Sequence, residues 1–561
     1  MLKYKKVLCK ERNFIMDKDI NKRDSESNII MKNELKNAKK SNMINKNETK
    51  SNTTNDKQES KNELKHGNKH EEKSIKKLKV VSLIIWAISL IASICLILLI
   101  NKLNVIPEKY FSLIIAGLAV IEIIPLLIIL LKKKGKVLVS IIDIILIVLI
   151  IVETLVSVKI NKVQNFMESN LNKNYNTSYY SVIVSASSPI NSVDDLSGKD
   201  VHYFSSEDND NKQKLVDKIN STISNANLIE ETDNISALTS VIKDENYALA
   251  ISSSMIDFMN TIDGSYESKI KTITTIELKT LKDNTDSTNN TDYANIDITK
   301  EPFYIYFSGI DTRSGGLPTT CLSDSNIIVA VNPNSKKILL VHIPRDYFVL
   351  VHGTTGQKDK FTHAGLRGGI ELSKATLEDI FDMKFPYYAR ANFNAISNLV
   401  DAIGGINIYN DQNHTIHTNY KGYSFAAGWN YNVKGEKALA FAHERYSYST
   451  GDRHRGENQE QVITRIIDKL SSSKELLTHY EDIMNAMNGT FETNISYDQI
   501  SNFIKMQIND MAKWSVETYN VNGSDGMEYT ASFPTQKSYV MYPDYSTVNE
   551  AKKKINDVLG K

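Results

Sequence analysis

The sequence is poor in cysteine: among 561 residues there are three, Cys9, Cys95 and Cys321, and the last alone lies in the large C-terminal portion. That portion can have no disulfide framework, so its stability must come from apolar cores. Aromatic residues are nearly missing from residues 1–79, where Lys, Asn, Glu and Ser dominate. Such a stretch buries too little apolar surface to offset the entropy of ordering, which predicts a disordered tail over 1–79. His66 and His70 lie in this charged tract, where histidines are more often solvated than metal-bound. A net charge excess is also lacking, at +1, but the total conceals a local bias: Lys73, Lys76, Lys77 and Lys79 directly precede an apolar run.

Three apolar runs follow, 80–100, 111–131 and 137–158, each about the length at which a helix crosses a hydrocarbon layer. A secretory leader would be shorter and nearer the start. Lys132, Lys133, Lys134 and Lys136 crowd the second connector, whereas the first has Lys102 and Lys109 partly offset by Glu108. Positive-inside bias puts the tail and second connector in the cytoplasm, and three crossings then leave the remainder outside the cell. Glu122, Asp143 and Glu153 fall within the runs. They are either functional carboxylates or groups protonated or paired in a small helix bundle.

Between 175 and 282, strand-like runs at Tyr179–Val184 and Tyr247–Ile251 alternate with helical patterns such as Lys212–Ile223. This predicts a small α/β accessory domain acting as a spacer or interaction module. Residues 283–300 read as a polar linker. Over 301–475 the charged groups collect at strand ends, the usual place for a ligand in an α/β sheet. Phe303–Ile310 runs into Asp311, Ser323 and Asp324 precede Ile327–Val331, and Ile338–Ile343 runs into Pro344, Arg345 and Asp346. Further on, Asp452, Arg453, Arg455 and Gln459 open an amphipathic helix. Arginine forks among carboxylates suit phosphate oxygens and a hard cation, and they equally suit a structural ion-pair network.

The motifs Gly309-Ile310-Asp311-x-Arg313, Ser323-Asp324, Ile343-Pro344-Arg345-Asp346, Lys360-x-x-His363-Ala364-Gly365 and Asp401-x-x-Gly404-Gly405 occur in that order. Glu444-Arg445 through Gly451-Asp452-Arg453-x-Arg455-x-x-Asn458-Gln459 closes the series. Together they resemble the LytR-CpsA-Psr family, and three spans with an accessory domain resemble its capsule-associated, CpsA-like branch. The resemblance implies an αβα-type domain with a mixed central sheet at 301–475; beyond it no motif is found, and helical patterns at Glu475–Met487 and Tyr497–Met511 predict a C-terminal helical extension over 476–561 packing on that domain. It implies a phosphotransferase in the cell membrane of a Gram-positive-type bacterium, moving a glycopolymer from a polyisoprenyl pyrophosphate carrier to peptidoglycan through a phosphodiester.

By motif position, the resemblance assigns catalysis to Asp311, Arg345, Arg445, Asp452 and Arg455. Pyrophosphate binding falls to Arg313, Arg345, Arg445, Arg453, Arg455 and Gln459, and a Mg²⁺ (or Mn²⁺) ion to Asp311, Asp324 and Asp452. Phe393, Ile396, Leu399, Val400 and Ile403 recur at helical spacing, either as the wall of an isoprenoid pocket or as ordinary core. Two positions depart from the family pattern: Leu322 and His443 stand where arginines are usual. The departures motivate a second reading, a lipid-pyrophosphate sensor or pyrophosphatase with weakened transfer, with Arg313 or Arg453 as candidates to replace the missing charge. Nucleic acid is not an expected partner, because the tail and one short connector are all that face the cytoplasm and neither carries a helix-turn-helix pattern.

Overall fold

The computed structural model describes residues 56–131, 136–171, 175–205, 209–281, 296–310, 312, 316–471 and 479–561. Most of the expected tail, the lysines at 132–134, most of the linker, Asp311 and Arg313 lie outside these residues. Three long apolar helices come first: α1 (Asp56–Leu103), α2 (Glu108–Leu131) and α3 (Lys136–Leu171). Each holds a stretch long and apolar enough to cross a membrane, and the three expected runs fall inside those stretches.

By their contacts the described residues form two compact units, 56–85 with 126–131 and 136–143, and 86–125 with those from 144 onward. Within the first, Ser82 Oγ donates to Asp143 Oδ2 at 2.9 Å. Within the second, Ser89 Oγ donates to Glu122 Oε1 at 2.6 Å, and Ser93 Oγ lies 2.6 Å from Glu153 Oε1. All three apolar-run carboxylates are buried, each with a serine hydroxyl as partner. Of the two readings of these groups, pairing is the one that this geometry supports.

The accessory region is a five-stranded mixed sheet of β1 (Tyr175–Ser185), β2 (Asp200–Tyr203), β3 (Asn227–Glu230), β4 (Ala248–Ser252) and β5 (Ile270–Leu281), in the order β3-β2-β4-β1-β5. β2 runs parallel to β3 and β4, and β1 is antiparallel to β4 and β5. Helices α4 (Asn209–Thr222), α5 (Asn234–Lys243) and α6 (Ser253–Ile262) flank it. Alternation along β1 splits its side chains between two cores, Val182 and Val184 on one face and Ile183 on the other. Asp233 caps α5 by accepting from the Ser236 amide.

A second, six-stranded sheet carries the motif residues. Its strands β6 (Phe303–Ile310), β7 (Ser323–Asn332) and β8 (Lys337–Ile343) form an antiparallel meander. The short pair β9 (Phe348–Val349) and β10 (Asp359–Lys360) then leads into helix α7 (Phe361–Phe381). β11 (Tyr387–Asn392) adds parallel to β6 and is followed by α8 (Phe393–Ala402). Small pairings join β12 (Ile406–Asn410) to β15 (Gly428–Val433) and β13 (Ile416–His417) to β14 (Ser424–Phe425). Helices α9 (Gly435–His443) and α10 (Asp452–Leu470) follow.

After residue 475 the expectation of a helical extension is corrected. Besides α11 (Tyr480–Met487), α12 (Tyr497–Asp510) and α13 (Tyr545–Leu559), this region supplies β16 (Phe491–Thr493) and β17 (Ser515–Asn520), the two outermost strands of the main sheet. It also forms the hairpin β18 (Gly523–Thr530) and β19 (Phe533–Pro543). The full order is β16-β11-β6-β7-β8-β17. Apolar clusters cover both faces. Tyr306, Ile328 and Val341 pack with Phe361, Leu377 and Ile555 on one side, while Phe303, Ile327 and Leu340 pack with Ile495 and Phe503 on the other. The product is an αβα layering around a mixed sheet.

Candidate active site

Sheet register places the first charged pair. In the antiparallel β7–β8 ladder Asn326 faces Ile343, so two residues further out Asp324 faces Arg345. Arg345 Nη1 lies 2.7 Å from Asp324 Oδ1. A buried polar network fixes the base of that strand: Tyr306 Oη donates to Asn326 Oδ1 at 2.7 Å, and the Ser308 and Ser323 hydroxyls are 2.6 Å apart.

Pairing of β9 with β10 sets Lys360 opposite Phe348, and Lys360 Nζ reaches Asp346 Oδ1 at 3.0 Å. The first turn of α10 brings Asp452 and Arg455 together at 2.7 Å. Arg445, just past α9, and Arg345 approach the same Asp452 Oδ1 at 3.8 and 4.0 Å. Arg345, Arg445, Arg455 and Lys360 thus face Asp324, Asp346 and Asp452, four cations against three carboxylates among the described residues.

The electrostatics follow from that crowding. Burial alone would lower the Arg345 pKa, but Asp324, Asp346 and Asp452 together hold its guanidinium above the usual value. For Arg455, burial and then the neighbouring Arg345 pull the pKa down. Burial would raise the Asp346 pKa, yet Arg345 and Lys360 hold it below the usual carboxylate range. A guanidinium lowered by burial and then by a neighbouring guanidinium is relieved by an incoming anion.

Asp452 Oδ1 is buried and receives no well-oriented hydrogen bond, despite the guanidinium at 2.7 Å. A carboxylate oxygen that is ion-paired but not saturated by directed hydrogen bonds is suitable chemistry for a hard cation. No group of three His, Cys, Asp or Glu side chains is positioned to hold a metal among the described residues, which do not include Asp311.

Several residues named from sequence sit elsewhere or behave differently. Arg453 turns to the hairpin, where it donates to Asn522 Oδ1, Gly523 O and Asp525 Oδ1 at 3.0, 3.0 and 2.8 Å. It therefore does not replace a missing arginine in the cluster. Gln459 is buried on α10, one turn beyond Arg455, with its Oε1 unpartnered. His443 is half-buried, its Nδ1 lies 3.0 Å from Leu439 O, and desolvation pushes its pKa down to about 4. It is neutral near pH 7 and supplies no clamp charge.

Leu322 is buried in an apolar cluster with Phe258 of α6 and Phe533 of β19. That environment excludes a charge and accounts for leucine at this position. Val400 and Ile403 are fully buried in a cluster with Phe441 and Val462, so they build core. Ile396 and Leu399 are partly buried at the margin of the same cluster, and Phe393 meets the His443 ring edge-on at 4.3 Å.

Sequence reasoning gave no role to Lys360, although the motif containing it was legible. It also missed the buried Arg390–Glu492 pair, 2.7 Å apart, whose members lie more than 100 residues apart in sequence.

The domain is thus a mixed α/β sheet with a largely half-buried arginine–aspartate cluster at its strand ends. The LytR_cpsA_psr family model matches residues 267–554, more than half of the chain, and the chain belongs to this family. A polyisoprenyl-teichoic acid–peptidoglycan teichoic acid transferase TagU of Enterococcus faecalis is 33% identical over 201 residues, 36% of this chain and 64% of that protein. The TagU of Bacillus mycoides is 34% identical over 235 residues, 42% of this chain and 73% of the relative. With the E. faecalis protein the match thus spans just under two thirds of the relative's length. Among solved structures, B. subtilis TagV is 25% identical with a TM-score of 0.38, covering 46% of this chain and 98% of TagV. Protein gbs0355 of Streptococcus agalactiae is 24% identical with a TM-score of 0.40, covering 46% and 89%.

Proposed function

We propose that this chain transfers a glycopolymer from a polyisoprenyl pyrophosphate carrier to peptidoglycan, forming a phosphodiester. The observation that carries the reading is the convergence of Arg345, Arg445 and Arg455 on the single oxygen Asp452 Oδ1, with Lys360 beside them. Phosphoryl transfer asks little covalent work of a protein beyond positioning and charge neutralisation, and guanidinium forks provide both. Relatives that carry the teichoic acid transferase name agree with this class.

Asp324 and Asp452, with Asp311 by motif position, would hold a Mg²⁺ (or Mn²⁺) ion, which would neutralise part of the pyrophosphate charge. Arg345, Arg445 and Arg455 would take the remaining phosphate oxygens, and Gln459 would add a neutral contact.

The carrier's tail needs an apolar route, since each buried methylene contributes about 0.8 kcal/mol. Ile396 and Leu399 belong to the same apolar cluster as Leu103, Val105, Ile106, Tyr110, Ile160 and Val163 at the ends of the long apolar helices. This continuity supports a tail passing from the outer leaflet into the domain. In this reading the three helices span the cell membrane, the N-terminus is cytoplasmic, and both α/β regions lie outside.

A second reading, a pyrophosphate-lipid sensor or pyrophosphatase with weakened transfer, draws on Leu322 and His443, neither of which supplies a charge. The two are separated by incubating the full chain in nanodiscs with a glycopolymer on a polyisoprenyl pyrophosphate, Mg²⁺ and a soluble peptidoglycan fragment, and following linked fragment, polyisoprenyl phosphate and inorganic phosphate, with Arg345→Ala as control. The transferase reading expects linked fragment and polyisoprenyl phosphate in equal amounts, both lost on the substitution, whereas inorganic phosphate release without linked fragment marks the pyrophosphatase. Tight binding without release in either sample would leave the sensor.

A further inference from the structure

Four interactions join the accessory sheet to the segment 316–322, which leads directly into Asp324. The Thr319 amide donates to Thr177 O at 2.7 Å, and the Thr177 amide donates back to Thr319 Oγ1 at 2.9 Å. Ser254 Oγ, at the start of α6, donates to Thr320 O at 2.6 Å. One turn further along α6, Phe258 is 1% exposed and packs in the cluster that contains Leu322. From the opposite side, Arg390 Nη1 donates to Pro318 O and Thr319 O, both at 2.8 Å. The segment is therefore held between β11 and the accessory domain.

Phe258 also touches the second arm of the charged cluster. Its ring meets the His363 ring edge-on, 5.2 Å between centroids. His363 Nδ1 lies 2.5 Å from Asp359 Oδ1, and Asp359 Oδ2 accepts from the Ser532 amide at 3.0 Å. Asp359 is wholly buried and adjoins Lys360, whose ammonium pairs with Asp346. A single accessory side chain thus supports both the strand that carries Asp324 and the turn that carries Lys360, by two independent routes.

We propose that Phe258 is a positioning residue: seated between Leu322 and His363, it couples the accessory domain to the geometry of Asp324 and Lys360. This rests on the transferase reading for its catalytic consequence. Leu322, where the family pattern has an arginine, is the receiving surface for that contact. The accessory domain is in this sense part of the active site's framework, because a misplacement of about 1 Å at a reacting geometry can cost a hundredfold in rate.

The test uses the full chain in nanodiscs with Phe258→Ala and Phe258→Leu. Hydrogen exchange is read over 316–324 and 359–366, with β17 as an internal reference. Phe258→Ala should raise exchange in both segments and leave β17 unchanged, and Phe258→Leu should largely restore protection. Transfer from a glycopolymer on a polyisoprenyl pyrophosphate to a soluble peptidoglycan fragment, read as polyisoprenyl phosphate released, should fall at least about tenfold in kcat with KM little changed. In a Lys360→Ala background the same substitution should cost less, because one of its two routes then has no ammonium left to position. Unchanged exchange in Phe258→Ala overturns the proposal, as does raised exchange with unaltered turnover, or equal losses in both backgrounds. If the parent chain forms no linked fragment, the transferase reading fails, and the exchange result together with inorganic pyrophosphate binding, expected to weaken in Phe258→Ala, decides the positioning role.

Discussion

Asp452 is the residue on which three guanidinium groups converge, and the substitutions around it should separate by geometry rather than by residue type. Arg345→Ala leaves Asp324 and Asp452 without their shared partner and should lower turnover by about a hundredfold or more, as loss of a transition-state charge contact does. Arg453→Ala, whose guanidinium is committed to Asn522 and Asp525, should change turnover by less than about threefold, the usual scale for partly exposed ion pairs. Parallel transfer assays, read as polyisoprenyl phosphate released, check both.

Two buried groups give stability a pH dependence of opposite sign. Burial pushes the His342 pKa down to about 4, so the folded state keeps it neutral while the unfolded chain takes up a proton below about 6.5. Its contribution is therefore full above pH 6.5 and is lost as pH falls towards 4; His443 acts in the same direction. Burial pushes Glu460 up to about 9, so ionisation in the unfolded chain lowers stability as pH rises from about 4.5 to 9. Glu460→Gln should raise the unfolding midpoint of the full chain in detergent by several degrees at pH 8 and leave it nearly unchanged at pH 4.5, as measured by thermal scans.

At the scale of elements, close approach between α8 and α9 positions Arg445. A Cβ at Gly435 would lie 1.9 Å from Ser397 O, so only glycine lets α9 start there. Gly435→Ala should cost roughly 2 kcal/mol or more in unfolding free energy, since overpacking against backbone cannot be relieved by a rotamer change. Equilibrium denaturation reads this directly.

The elements also show what could be read in advance. Strands β6, β7 and β8 are apolar runs ending in charged residues, so both their position and the gathering of Asp324 and Arg345 were legible. β16 and β17 were not: one has three residues, and the other, Ser515–Asn520, has Val516 and Tyr519 as its only large apolar groups, as outermost strands do. The fate of Arg453 was equally hidden. Its spacing from Arg455 puts it on a different side of α10, and only the distant β18–β19 hairpin supplies its partners. Leu322 looked like a lost charge because Phe258, far away in sequence, was not yet known to be its neighbour.

On the scale of the whole molecule, the family domain is tied to the ends of the apolar helices. Tyr497 Oη donates to Leu103 O at 2.7 Å, Lys505 pairs with Glu108 at 3.1 Å, and Lys159 pairs with Glu481 at 2.7 Å. These exposed ion pairs contribute little energy individually, but with the apolar cluster around Leu103 and Val163 they hold one side of the domain against the helix ends, the side that would meet the membrane in the proposed orientation. Reporter fusions test the proposed orientation: alkaline phosphatase joined after residue 561 should be active, and the same enzyme joined within the lysine-rich connector at 132–136 should be inactive.

The central claim is group transfer to the wall, and one reaction tests it most directly. The full chain in nanodiscs is supplied with Mg²⁺, a glycopolymer on a polyisoprenyl pyrophosphate and a soluble peptidoglycan fragment, and the products are weighed by mass spectrometry. The account predicts a fragment carrying the polymer through a phosphodiester, formed by the parent chain and not by Arg345→Ala. Carrier bound by the parent chain, with no linked fragment formed, would contradict it.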